Sequence, residues 1–302
     1  MDYNTFISSI EGYLRDQYPS AEISLSKVTK NNGVILDGIS VNENRNNICE
    51  TIYLNRYYDL YSKGLYSLDE IKEAIADVHR KSFISDPVDF SFFREYSEVK
   101  DLIAFKLINL MMNKELLTSV PHLIYLDFAI VFYCMIEDES IGRGTVLIKN
   151  SHMEAWNITA EELFEVAVKN SPKLLPSKVI GMDEFLRQLQ IKRDIPFEES
   201  VPDTSDELCN MYILTNKDKY YGASVLMYEN LLSDLSDRFL SSFFIIPSSI
   251  HEVILFPTNN RNHLNEFNLM VKEVNSESLD REDILSDHAY FYDRDDRALY
   301  AS

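Results

Sequence analysis

Glycine is scarce in this 302-residue chain. There are eight, and none form GxGxxG or the GxxxxGK that precedes Ser or Thr, so the glycine-rich turn that cradles nucleotide phosphates is missing. Cysteine is scarcer still. Cys49, Cys134 and Cys209 are odd in number, widely spaced and form no CxxC, which excludes a disulfide framework and reads as reduced thiols in a cytosol. Bases are also short: 29 Lys and Arg stand against 49 Asp and Glu, a net charge of −20. Nucleic-acid affinity comes from Lys and Arg displacing counterions from phosphates, so direct binding of DNA or RNA is not expected. The longest apolar run, Leu123 to Ile136, has 14 residues and contains Asp127, too short to span a bilayer. The acidic start Met1-Asp2-Tyr3 carries no basic signal-peptide region. The expectation is a cytoplasmic protein with no membrane partner.

Complete catalytic signatures are lacking too. Neither HExxH nor GxSxG occurs, and His152-Met153-Glu154 matches only half of a deaminase signature because no PCxxC follows it. The histidines, His79, His122, His152, His251, His263 and His288, show no i, i+4 pair and no neighbouring Cys. No metal site and no cofactor are therefore expected.

The apolar pattern that is present reads as an α+β fold. Tyr3, Phe6, Ile7, Ile10 and Leu14 recur at helical spacing. Residues 22–29 and 34–41 flank Asn31-Asn32-Gly33, a hairpin signal, because Asn-Gly tolerates the positive φ of tight turns. Thr51–Leu54 reads as a strand, and Tyr53, Tyr57 and Tyr61 follow one another at core-facing helical spacing. Ser67-Leu-Asp-Glu70 is a capping box opening a helix to about Arg80. Residues 102–110 read as strand or helix, with strand favoured, and further strands are expected at 125–133, 144–148, 211–214, 223–227, 243–247, 250–257 and 288–292. Helices are expected at 150–156, 159–170, 230–240 and 261–274, with Thr159-Ala-Glu-Glu162 reading as a capping box one position short. Hairpins followed by helices imply antiparallel sheets with helices packed on their faces. The organisation expected is an N-terminal part to about residue 118 and a C-terminal part from 119 to 302. Residues 194–210 hold six carboxylates, no base and two prolines, and read as an acidic loop.

Three places can carry function. His251-Glu252 and Asp287-His288 each begin a late strand beside serines (Ser248-Ser249 and Ser286). Such pairs either serve acid/base chemistry, as in a hydrolase, or satisfy backbone groups at a strand end. Phe90, Phe92, Phe93 and Tyr96 form an aromatic cluster that either docks a partner or folds onto the core. The acidic surface either keeps the protein soluble or attracts a basic partner, with mimicry of nucleic acid as a specialised form. The leading expectation is a non-catalytic interaction protein with a protein partner.

Taken together, residues 27–38 (KVTKNNGVILDG), Thr51–Asn55, Lys106–Asn109, Val120–His122, Pro247–Leu255 and Leu285–His288 resemble an uncharacterised family of bacterial proteins, known mainly from clostridia and catalogued as a domain of unknown function. The resemblance covers residues 3 to about 295. More distantly, 156–170 with 211–256 is similar to a second uncharacterised family, of bacilli. The resemblance implies a cytoplasmic accessory protein and brings no activity, cofactor or site residue.

Overall fold

The Asp2 carboxylate accepts a hydrogen bond from the Thr5 amide and so starts α1 (Tyr3–Gln17), which buries Phe6, Ile10 and Leu14 along one stripe. In the computed structural model, which describes residues 1–43, 47–83, 88–138, 142–192 and 210–301, the chain forms two units. One comprises Met1–Phe93 with Glu137–Gly144, the other Arg94–Ile136 with Thr145–Ser302. Residue 118, the division expected from the sequence, lies inside the second unit.

In the first unit, β1 (Glu22–Thr29) and β2 (Ile35–Asn42) pair antiparallel from Glu22↔Asn42 to Thr29↔Ile35. Between them Asn32 and Gly33 take φ of 58° and 66°, as the Asn-Gly signal requires. A third strand, β3 (Thr51–Tyr53), pairs with β2 and runs into α2 (Leu54–Ser62). The Ser67–Glu70 capping box closes reciprocally and starts α3 (Leu68–Ser82). Ile23, Ile39, Ile52, Leu54, Ile71 and Ile75 fill the core with the α1 stripe, and Tyr57 and Tyr61 pack against it.

The second unit opens with α4 (Tyr96–Val99), β4 (Ile103–Asn109) and α5 (Lys114–Leu117). The single strand expected at 125–133 is instead a hairpin, β5 (His122–Tyr125) and β6 (Phe128–Asp138). Leu126 turns the chain at φ 53°, and the Asp127 carbonyl accepts the Leu110 amide. A turn inside an apolar run leaves no Gly or Pro to read, which is why the pattern hid it. With β7 (Gly142–Leu147) pairing β6, these strands form a four-stranded sheet. Next come α6 (Asn150–Trp156) and α7 (Ala160–Leu174). The α7 capping box is complete, because Glu162 stands at the third helical position after the Thr159 cap.

The rest of the unit supplies β8 (Ser177–Gly181), α8 (Met182–Lys192), β9 (Tyr212–Asn216), α9 (Leu231–Phe239), β10 (Phe243–Pro247), β11 (Val253–Pro257), α10 (Leu264–Glu277), β12 (Tyr290–Asp293) and β13 (Ala298–Ala301). The strands make an antiparallel six-stranded sheet in the order β13-β12-β10-β11-β9-β8. The strand expected at 223–227 is a 3-10 helix over Gly222–Met227. Its residues are apolar because they are buried, not because they pair: Val225 and Leu226 pack in the main core. Central β10 explains its unbroken apolar run, since Phe243 and Ile245 enter the main core while Phe244 and Ile246 meet Phe267 and Val271 of α10 on the other face. The fold is α+β, with antiparallel sheets and helices packed on them. No helix among the described residues is long and apolar enough to cross a membrane.

Candidate functional site

Asp287-His288 enters β12 at the centre of a polar cluster. Its anchor is Asp127, held in the β5–β6 turn by the reversal at Leu126. The Tyr290 hydroxyl donates to Asp127 Oδ1 at 2.5 Å, and the Ser286 hydroxyl donates to Asp127 Oδ2 at 3.1 Å. His288 Nδ1 lies 2.9 Å from Asp287 Oδ1 and 3.3 Å from Ser286 Oγ, while its Nε2 is 3.9 Å from Asp127 Oδ1. Asn109 and Asn275 fix the segment by donating to the carbonyls of Leu285 and Ser286. Burial, and then the bond to Asp127, push the Tyr290 phenol well above its ordinary range. The bond to His288 holds the Asp287 carboxyl below its ordinary value.

A serine, a histidine and two carboxylates within reach suggest acyl transfer, but the connections differ from those such chemistry uses. A nucleophile and an orienting carboxylate act on opposite nitrogens of the imidazole. Here Ser286 and Asp287 share Nδ1, the serine proton is directed at Asp127, and Ser286 is fully buried. The arrangement binds the β5–β6 turn to the entry of β12.

His251 sits in a second cluster with different neighbours. Its Nδ1 accepts the Tyr221 amide at 3.1 Å, so the proton of the neutral ring resides on Nε2, which faces Asp283 Oδ1 at 3.4 Å. The carboxylate that faces His251 is thus Asp283, not the adjacent Glu252, whose carbonyl accepts the amides of Ser248 and Ser249 in the turn. Tyr221 is held at φ 52°, with its ring parallel to the imidazole and the Lys106 ammonium 3.9 Å from its centre. Tyr220 donates to the Tyr221 hydroxyl at 2.9 Å, and Tyr133 meets the same ring edge-on. Desolvation drives the Tyr133 and Tyr221 phenols far above their ordinary range. The structure therefore joins Asp287 to His288 and gives His251 a partner from a distant segment.

The aromatic cluster is divided between the units. Phe90, Phe92 and Phe93 belong to the first, where Phe90 and Phe92 have ring centres 6.2 Å apart, and Tyr96 belongs to the second, where it packs on Trp156 at 5.9 Å. All four are half-buried. The acidic stretch lies outside the described residues except for Asn210. Among the described residues no three His, Cys, Asp or Glu gather as a metal site.

Four residues central to these clusters escaped the sequence pattern: Asp127, Tyr221, Asp283 and Tyr290. Only Asp127 left a signal, as the single charge within the longest apolar run.

No curated protein and no solved structure matches the chain. A family model described as a family of unknown function, DUF5688, matches residues 3–294. With nearly its whole length covered by that model, the chain belongs to this family of unknown function.

Proposed function

We propose that the chain is a non-catalytic binding protein whose acidic surface engages a basic protein partner. The observation that carries this reading is the net charge of −20, borne on exposed side chains such as Glu161, Glu165, Glu229, Glu273, Glu277 and Asp295. Opposite charge steers association and suppresses wrong partners more than it adds affinity. Capture from a cell lysate at low and high salt tests it. Basic proteins held at low salt and released at high salt are expected. An empty capture at both salt levels removes the reading. Mimicry of nucleic acid is its specialised form, in which DNA competes for the captured protein.

A hydrolase is the second reading, favoured by one contact, the 3.3 Å separation of Ser286 Oγ and His288 Nδ1. It requires turnover of an ester or peptide that Ser286→Ala and His288→Ala both abolish while the fold survives. Turnover unchanged in folded variants ends it.

A further inference from the structure

We propose that the outer face of α10 is the docking surface for a cationic amphipathic helix of a partner protein. This rests on the acidic-surface reading above and gives it a place. The inner face of α10 is spent on the sheet: Phe267 and Val271 are buried against Phe244, Ile246, Ala289 and Phe291, with Leu264 at the margin. At about 100° per residue, Glu266, Glu273 and Glu277 form one stripe on the opposite side. Leu269 flanks that stripe on one side and Met270 on the other, while Val274, seven residues on from Phe267, lies at the edge of the inner face. Both flanking side chains face solvent, with exposures of 69% and 38%. Surface helix positions where packing does not decide are ordinarily filled by polar helix formers, and here the two that border the carboxylates are apolar.

Charge complementarity selects the occupant. A central row of carboxylates between two apolar flanks fits a helix that presents Lys or Arg along its contact line and Leu or Ile beside it. A second copy of this chain would set its own carboxylates against Glu266, Glu273 and Glu277, at a net charge of −20 per copy. An anionic membrane surface is repelled for the same reason. The contact length, about 21 Å at 1.5 Å per residue, accommodates three to four turns of a partner helix at about 3.6 residues each.

The test uses a fluorescent synthetic helix of Leu and Lys in amphipathic repeat, titrated by anisotropy into the full chain. Two α10 variants are compared, Leu269→Ser with Met270→Ser, and Glu273→Lys with Glu277→Lys. The control is Glu161→Lys with Glu165→Lys, the same charge change on exposed positions of α7 in the same unit. All the substituted positions are solvent-exposed, and circular dichroism verifies folding. Each α10 variant is expected to weaken binding roughly tenfold, the effect of losing contacts worth about 1.4 kcal/mol at an interface centre, with the α7 control close to the parent. Equal losses in control and α10 variants overturn the α10 assignment and leave the acidic-surface reading standing. Failure of the helix to bind the parent chain also overturns it, and lysate capture then judges the broader reading separately. Self-association in sedimentation that Leu269→Ser with Met270→Ser abolishes would assign the face to a second copy and overturn the proposal.

Discussion

Ser286 Oγ and Asp287 Oδ1 approach the same nitrogen of His288, Nδ1, at 3.3 and 2.9 Å. That shared nitrogen ties both side chains to the entry of β12. The serine proton goes to Asp127, which the Tyr290 hydroxyl also serves. Ser286→Ala leaves the half-buried Asp127 short of one donor, and such a loss costs about 1 kcal/mol, the low end of the range for buried groups. A urea midpoint lowered by that free energy divided by the m-value is the expected result. An unchanged midpoint would show that the tie carries no stability.

Asp287 makes the same tie sensitive to acid. Its carboxyl is held below the ordinary value of 3.8 by the bond to His288. A group depressed in the folded state contributes stability that is complete above its unfolded pKa and is lost as pH falls through the folded pKa. Asp287→Asn should therefore lower stability at neutral pH, with the gap to the parent narrowing below about pH 4. The side chain is largely exposed, so solvent screening keeps the effect small. Urea midpoints at neutral and acidic pH check it, and a gap of constant size would exclude the linkage.

Local rules made much of the fold legible. The Asn-Gly hairpin, the Ser67 cap and the β10–β11 pair are readable because each depends on residues close in sequence, whereas the Thr159 box, read as one position short, is complete. What escaped is set by distant segments. The 3-10 helix at Gly222–Met227 looks like a strand because burial on every side selects the same apolar residues as a sheet does. The partners of the two candidate histidines follow the same division. Asp287 is adjacent to His288 and was legible, whereas Asp283 comes to His251 from 32 residues along the chain and Asp127 to Tyr290 from 163 residues away.

The cysteines should differ sharply in reactivity. Cys134 is fully buried in β6, and desolvation pushes its thiol up to about 12, whereas Cys49 is half-buried. The thiolate is the reactive form, so in a Cys209→Ser background one thiol should react rapidly with an aromatic disulfide reagent. The second should react only after denaturation. Equal rates for both thiols in the folded protein would contradict the burial of Cys134.

Gly222 is where the His251 cluster tolerates least change. A Cβ built there would stand 2.1 Å from Thr215 Oγ1, 2.3 Å from the His251 carbonyl oxygen and 2.9 Å from the Asn216 amide nitrogen. Two of those atoms are backbone and cannot rotate away, and Thr215 is itself committed to the His251 carbonyl at 2.8 Å. Gly222→Ala must push β9 and the 250–252 turn apart, which separates the Tyr221 amide from His251 Nδ1. Overpacking of this kind costs about 1–3 kcal/mol or more. The same substitution at Gly12, where nothing lies within 4 Å of the added carbon, should stabilise α1 slightly, since Ala is a better helix former by about 1 kcal/mol. Thermal unfolding of the two variants side by side separates crowding from any general effect of losing a glycine. If Gly222→Ala melts with the parent, the close approach of β9 to the His251 turn is wrong, and with it the positioning of the Tyr221 ring against the imidazole.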